Sequence, residues 1–370
     1  MTSDCEIGVL NSAGGRPKRK IASSFLGAAC ALSLMATPSA AFLPSFFRMP
    51  GVADPFESLL LMFLLLDPQV TYHSSSHDPW RSNINAGFAP AAQETDTITA
   101  MTWAAQDVSK YFGLSANEQL VVGVQYTRSW SDTDHILHFP GAAPFVVARQ
   151  DTDENSLGVN FGYVNGAWHA TGVVGYKWGE ARLTDIVGDS GSFDTDGFFA
   201  ATEIGRVFTL SGEGYTSKTP QTVTTSSVYL DPAVRIARID SSADAYVDSG
   251  GFAYGEEEQS YWSLGASLRL FALLPRDGVV YNPFVKVSID QLVDYKGTID
   301  SVAAGQTFNV FQDETFGKVE AGLNVLIGDS AMLGVSGFYS GSGDSEDAGA
   351  RAILQFDLFG HHRAEAAPLK

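Results

Sequence analysis

Apolar and polar residues alternate along the last third of the chain, in runs cut by turns. In 261–271, Trp262, Leu264, Ala266, Leu268 and Leu270 share one parity, and Ser263, Gly265, Ser267 and Arg269 share the other. In 283–290, Val285, Val287 and Ile289 alternate with Phe284, Lys286, Ser288 and Asp290. In 317–327, Val319, Ala321, Leu323, Val325 and Ile327 alternate with Lys318, Glu320, Gly322 and Asn324. A period of two puts the two sets on opposite faces of a β-strand. The same reading predicts ten strands from Leu120 onward, over 119–130, 156–164, 167–182, 197–210, 226–239, 259–272, 279–295, 315–327, 331–340 and 348–359.

The aromatic residues say what the apolar face meets. On the third predicted strand Trp168, Ala170, Gly172, Val174, Tyr176 and Trp178 share a face, which begins and ends in aromatics. A strand that crosses a bilayer carries an apolar band flanked by aromatic girdles, whereas a soluble sandwich has no reason to put rings at both ends. Trp262 extends the girdle to a later strand. The links follow the same logic. Asn165-Gly166, 273–278 and 328–330 are short, and 131–155, 183–196, 240–258 and 296–314 are long and polar. Alternating short and long links are expected of an antiparallel transmembrane barrel with short turns inside and long loops outside. The link 211–225 breaks the rhythm, being long where a short turn is expected.

If the apolar face meets lipid, the charged residues of the other parity face a lumen. These are Lys177, Glu203, Asp231, Arg235, Arg269, Lys286, Asp290, Lys318, Glu320, Arg351 and Asp357, expected to pair or be wetted. Closure makes this tolerable, because every backbone donor and acceptor then finds a neighbouring strand. Arg128 and Arg206 fall on the lipid parity, which places them at an interface or beside a bulge.

The first third reads differently. Arg16, Lys18, Arg19 and Lys20 precede an apolar run, 21–35, and then Thr37-Pro38-Ser39-Ala40-Ala41. Basic, apolar and small-residue regions in that order predict a signal peptide, 1–41. An anchor helix or a lipid-modified Cys30 are the alternatives. Both cysteines, Cys5 and Cys30, lie inside this segment, so the mature chain is expected to have no thiol chemistry. Segment 42–118 is expected to be irregular and helical. The dense apolar run 58–66 is too short to span as a helix, and is either a short buried or interfacial helix or a membrane-contacting element. His73-Ser-Ser-Ser-His77 is read as loop, and Trp103, Asp107 and Tyr111 are placed on one face of a helix.

Composition narrows the chemistry. The formal charge is −19, near −21 once 1–41 is removed, which argues against nucleic acid as a partner. Gly188-Asp-Ser-Gly191 resembles a serine-protease signature, but no histidine and second acid are placed to complete a triad, so it is read as a turn. Asp151, Asp153 and Glu154, and Asp194 with Asp196, lack the rest of a calcium loop. Glu256-Glu257-Glu258 is read as a solvated loop. The expectation is no enzyme, no cofactor and no metal site.

Three stretches then carry a resemblance. Tyr229-Leu-Asp-Pro-Ala-Val-Arg-Ile-Ala-Arg-Ile-Asp240, Trp262-Ser-Leu-Gly-Ala-Ser-Leu-Arg-Leu270 and Tyr281-Asn-Pro-Phe-Val-Lys-Val287, in that order, resemble the translocator β-domain of bacterial autotransporters. A closing strand over 348–359 fits the same pattern. The resemblance covers roughly 120–359. It implies an outer-membrane barrel of a Gram-negative cell, usually of twelve strands, with a helix threading the pore, here placed at 101–112. It also implies outer-membrane lipid and the barrel assembly machinery as partners. The expected architecture is therefore an all-β antiparallel transmembrane barrel of 10–12 strands over 119–359, porin-like, with a short N-terminal helical or irregular segment and a tail at 360–370. Two further strands are sought in 84–101. Only about 75 residues separate Ala41 from the predicted barrel, so no large passenger is expected. The alternative function is surface adhesion, through acidic outer loops and an unknown ligand.

Overall fold

The computed structural model describes residues 65–77, 92–115, 118–137, 144–215, 223–251, 253–301, 306–310, 315–327, 331–343 and 345–357. The expected signal peptide, the tail 360–370, Phe359 and most of the run 58–66 lie outside them. Twelve strands form the wall: β1 Leu65–His77, β2 Ala92–Asp107, β3 Glu118–Leu137, β4 Phe145–Asn165, β5 Trp168–Asp185, β6 Ser190–Arg206, β7 Ser227–Ala243, β8 Glu257–Arg276, β9 Val279–Ser301, β10 Thr315–Ile327, β11 Ala331–Gly341 and β12 Ser345–Asp357. Each pairs antiparallel with its sequence neighbours, and β12 pairs with β1, Thr71 opposite Arg351 and Ser75 opposite Asp347. The sheet is therefore a closed barrel without a free edge. No helix among the described residues is long and apolar enough to cross a membrane; the crossing elements are strands.

The two strands beyond the ten are β1 and β2: β2 overlaps the stretch 84–101 where two more were sought, and β1 lies upstream of it. The segment 101–112 is not a pore helix. Residues up to Asp107 belong to β2, bonded to β1 and β3 on either side, and only Ser109–Phe112 coil into a single 3-10 turn. Trp103, Asp107 and Tyr111 misled because an offset of four is even, so they share a strand face as readily as a helix face. Around them Gln93, Thr95, Thr97, Thr99, Met101, Trp103 and Ala105 are buried while Glu94, Asp96, Ile98, Thr102 and Ala104 are exposed, a period of two. The His73–His77 stretch is likewise strand, not loop.

The outer links are shorter than expected. β3 runs to Leu137 and β4 starts at Phe145, and only Ile186–Asp189 separate β5 from β6. Beyond the bilayer the outward face carries polar residues such as Asp132 and Glu180 in place of apolar ones. The apolar contrast disappears there, although the backbone ladder continues, Asp132 opposite Asp151 and Glu180 opposite Asp194. Asp151, Asp153, Glu154, Asp194 and Asp196 thus sit on strands rather than in ion-binding loops. The Gly188-Asp-Ser-Gly191 stretch is a turn, with Gly188 at φ 93°. Asp185 Oδ1 accepts the N–H groups of Val187, Gly188 and Asp189 there.

Along the outside, exposed Val122, Val124, Tyr126 and Trp130 on β3 continue into Leu157, Val159 and Phe161 on β4, and Leu264, Leu268, Val285, Val287 and Ile289 on β8 and β9. Trp168, Tyr176, Trp178 and Trp262 all stand on this face, 40–53% exposed. Tyr72, Tyr126 and Tyr176 donate their hydroxyls to Asp96, Asn155 and Asp196 at 3.1, 2.6 and 2.7 Å. An apolar ring with a wet polar tip suits the bilayer interface. The outward arginines lie at that level too. Arg128 bonds Asp153 and covers Trp130, and Arg206 stacks between Trp168 and Phe208.

Candidate functional site: the lumen

Inside, the wall has two chemistries. From β1 to β3, away from Met101, Trp103, Ala105 and Val121 at the short-turn end, it is uncharged and polar: Gln69, His73 and Ser75; Gln93, Thr95, Thr97 and Thr99; Gln125, Thr127, Ser129, Thr133 and His135 are buried from the outside. Hydroxyls meet across β2 and β3, Thr95 with Thr133 at 3.0 Å, Thr97 with Ser131 at 2.9 Å and Thr99 with Ser129 at 3.0 Å. Asn160 donates to Gln125 at 2.9 Å.

From β4 round to β12 the wall carries charges in pairs. Lys177 meets Glu154 at 3.1 Å, Lys286 meets Glu203 at 3.7 Å, and Arg235 meets Asp290 at 2.5 Å. His169 Nε2 lies 2.9 Å from Asp231. Arg351 bonds Glu320, which also takes Lys318 at 3.3 Å and the Ser336 hydroxyl at 2.8 Å. Arg269 is 1% exposed and lies over Phe271 and Phe284, 5.0 and 4.7 Å from their centres. Ten of the eleven charged positions thus point inward; the side chain of Asp357 lies outside the described residues.

Several pairs reach over an intervening strand, and small residues let them. Arg235 on β7 and Asp290 on β9 are both register partners of Gly265 on β8. A Cβ at Gly265 would stand 2.1 Å from Asp290 Oδ1. Gly205 does the same for His169 and Asp231, with a Cβ there 2.4 Å from His169 Nε2. Alternation put the charges on one face; which charge meets which depends on barrel closure and register, and sequence alone does not give these.

Two apolar clusters also line the inside. Toward the end holding the short turns, Trp103, Val121, Val164, Tyr229, Phe271, Leu273 and Phe284 come together with Val207 and Val223 of the long link 207–226. Its described parts, 207–215 and 223–226, turn back under the barrel. Tyr215 packs edge-on against Tyr229 and Phe271, and Tyr229 donates its hydroxyl to the Glu213 carbonyl at 3.0 Å. This is the link whose length broke the alternation of loops.

The link is clasped by Glu213. One of its oxygens accepts the N–H and hydroxyl of both Thr224 and Thr225, at 2.8–3.1 Å. The two hydroxyls first, then the amides, hold its carboxyl below the ordinary 4.5. A depressed folded-state value means the clasp contributes above pH 4.5 and is lost as pH falls through the lowered value. Protection of the Thr224 and Thr225 amides, corrected for intrinsic exchange, is expected to be lost as the pH falls through Glu213's lowered value, below the ordinary 4.5. In Glu213→Gln it should be low at every pH. Unchanged protection in acid would show that other contacts hold the link.

At the opposite end, Phe193, Phe199, Ile239, Tyr261, Leu292 and Tyr295 gather with Tyr246 and Tyr254 from the loop between β7 and β8. That loop folds into the mouth through a small hairpin, Tyr246–Val247 against Ala253–Tyr254, and burial raises both phenols. Ser249 ties it to the β5–β6 turn, donating its hydroxyl to Asp189 at 3.1 Å.

A family model described as the autotransporter β-domain matches residues 93–337. Among solved structures the fold is similar to the transport unit of the autotransporter AIDA-I from Escherichia coli, at TM-score 0.62 and 13% identity over 90% of this chain and 98% of that one. It is also similar to the translocator domain of the autotransporter NalP from Neisseria meningitidis, at TM-score 0.56 and 13% identity over 88% and 99%. The β domain of the Bordetella autotransporter BrkA gives TM-score 0.56 and 12% identity over 80% and 100%. No curated protein matches the sequence.

Proposed function

The chain belongs to the autotransporter β-domain family, and on that premise we propose that it is a translocator-type pore whose aqueous path follows the hydroxyl and amide wall of β1–β3. It is an outer-membrane barrel, with an apolar exterior and a polar lumen. One observation carries the reading of the path: the described apolar clusters draw mostly on β4–β9, and beyond Met101, Trp103, Ala105 and Val121 at the short-turn end β1–β3 offers a run of neutral hydrogen-bonding groups. Such groups exchange partners with water or an extended chain without the desolvation cost of a buried charge. The inturned link and the outer loop narrow the two ends. Translocator barrels are generally not enzymes, and we take this one to act without catalysis. Its partners are outer-membrane lipid and the barrel assembly machinery, and nucleic acid is not among them. Surface adhesion through the acidic loops is not favoured.

Refolded protein in a planar bilayer tests this. Step conductance is expected, rising severalfold when Tyr229 and Phe271 are both replaced by Ala to thin the inner constriction. Heat-modifiable gel migration establishes that each preparation is a folded barrel. Folded protein of both kinds that gives no conductance steps would overturn the pore.

A further inference from the structure

Glu257 opens β8 and faces the aromatic cluster at the outer mouth. It is 4% exposed, and both carboxyl oxygens lack a hydrogen-bond partner. Among the described residues no Lys, Arg or His forms an ion pair with it. This is not the solvated loop residue that the Glu256-Glu257-Glu258 run suggests. Its surroundings are tyrosines. Tyr246 is stacked between Phe193 at 4.9 Å and Tyr254 at 4.5 Å, and Tyr261 and Tyr295 stack at 5.9 Å. Glu257 shares the inward parity of β8 with Gln259 and Tyr261, and its register partner on β7 is Ala243 of the same cluster. Asp248, also largely buried, accepts the Tyr254 hydroxyl at 3.4 Å.

A buried carboxyl without a donor settles by taking a proton or a cation. The faces of tyrosine rings attract cations, most strongly soft, weakly hydrated ones such as alkylammonium groups. A divalent metal fits less well, because no group of three His, Cys, Asp or Glu among the described residues is placed to hold one. We propose that Glu257, with Tyr254, Tyr261 and Tyr295, forms a binding site for a small alkylammonium cation inside the outer mouth. The carboxylate supplies the countercharge and the rings the shape. The loop 244–256 contributes one of the three rings, Tyr254, so an occupied site would hold that loop against the barrel. This site stands apart from whether the lumen conducts.

The test is calorimetric titration of the refolded full chain with tetramethylammonium chloride, against sodium chloride at equal ionic strength. Saturable binding of tetramethylammonium is expected. Glu257→Gln should weaken it about tenfold or more, and Tyr254→Leu, which keeps the carboxyl, should weaken it severalfold. Heat-modifiable migration checks that both variants are folded. A response in the wild type no different from sodium chloride would overturn the proposal. So would a folded Glu257→Gln that binds as tightly as the parent, which would mean that the carboxyl is simply protonated.

Discussion

Replacing Glu320 by Ala is expected to destabilise the barrel by about 3 kcal/mol. Glu320 on β10 and Arg351 on β12 are 4% and 7% exposed and bond across β11. Lys318 and Ser336 converge on the same carboxylate. Removing the carboxylate strips a buried guanidinium of that partner, and the cost of such a loss exceeds the net worth of the pair. Lumen water offsets part of it, which sets the value at the low end of the range for buried pairs. The location adds weight, since β12 closes the barrel against β1 and Arg351 lies opposite Thr71 in that seam. Glu320→Gln, which retains an acceptor, should cost much less. The double change Glu320→Ala with Arg351→Met should recover most of the loss, because it removes both charges together. Denaturant unfolding of refolded protein, followed by heat-modifiable migration, gives the numbers. A single-mutant effect within about 0.5 kcal/mol would mean that water, not Glu320, compensates Arg351.

The parts of this architecture that were readable from sequence are those where lipid and lumen impose opposite demands on neighbouring residues. Strand β10 was legible to the residue, and β5 to within a few, because Trp168, Val174, Tyr176 and Trp178 alternate with His169 and Lys177. Legibility failed where one of the two demands was missing. In β2, Ala100, Thr102 and Ala104 face outward opposite Met101, Trp103 and Ala105, so small or apolar residues stand on both faces and the period blurs. In the outer halves of β3 and β4 polar residues stand on both faces, and Ser131–Thr133 and Thr152–Glu154 read as loop. The lumen charges were legible as a set but not as pairs. Glu203 and Lys286 are far apart in sequence and lie on strands separated by two others, so only closure brings them to 3.7 Å. Glu257 was hidden for a further reason. Three consecutive glutamates look solvated, but the middle one falls on the inward parity of β8 with Gln259 and Tyr261.

The second large effect concerns the outer face. Val287→Arg is expected to cost about 2–4 kcal/mol in lipid. Val287 stands 44% exposed near the middle of β9, its register partners being Leu268 on β8 and Val319 on β10, both also exposed and apolar. On a protein surface in water this would be the gentlest of substitutions, a charge added to an exposed position. In a bilayer the guanidinium lies far from both interfaces, and a side chain of that length reaches water only by thinning the lipid around it. The penalty depends on depth. Glu180→Arg, on the exposed outer part of β5 beyond Trp178, should therefore change stability by about 0–1 kcal/mol. Both variants are compared with the parent by denaturant titration in phosphatidylcholine vesicles. An equal, near-zero effect at both positions would place the apolar belt in water, and the outward rows of Val, Leu and Ile would then need a protein partner rather than a membrane. A large cost at Val287 with little at Glu180 is what a lipid-facing belt requires, since no contact within the chain distinguishes the two sites so sharply.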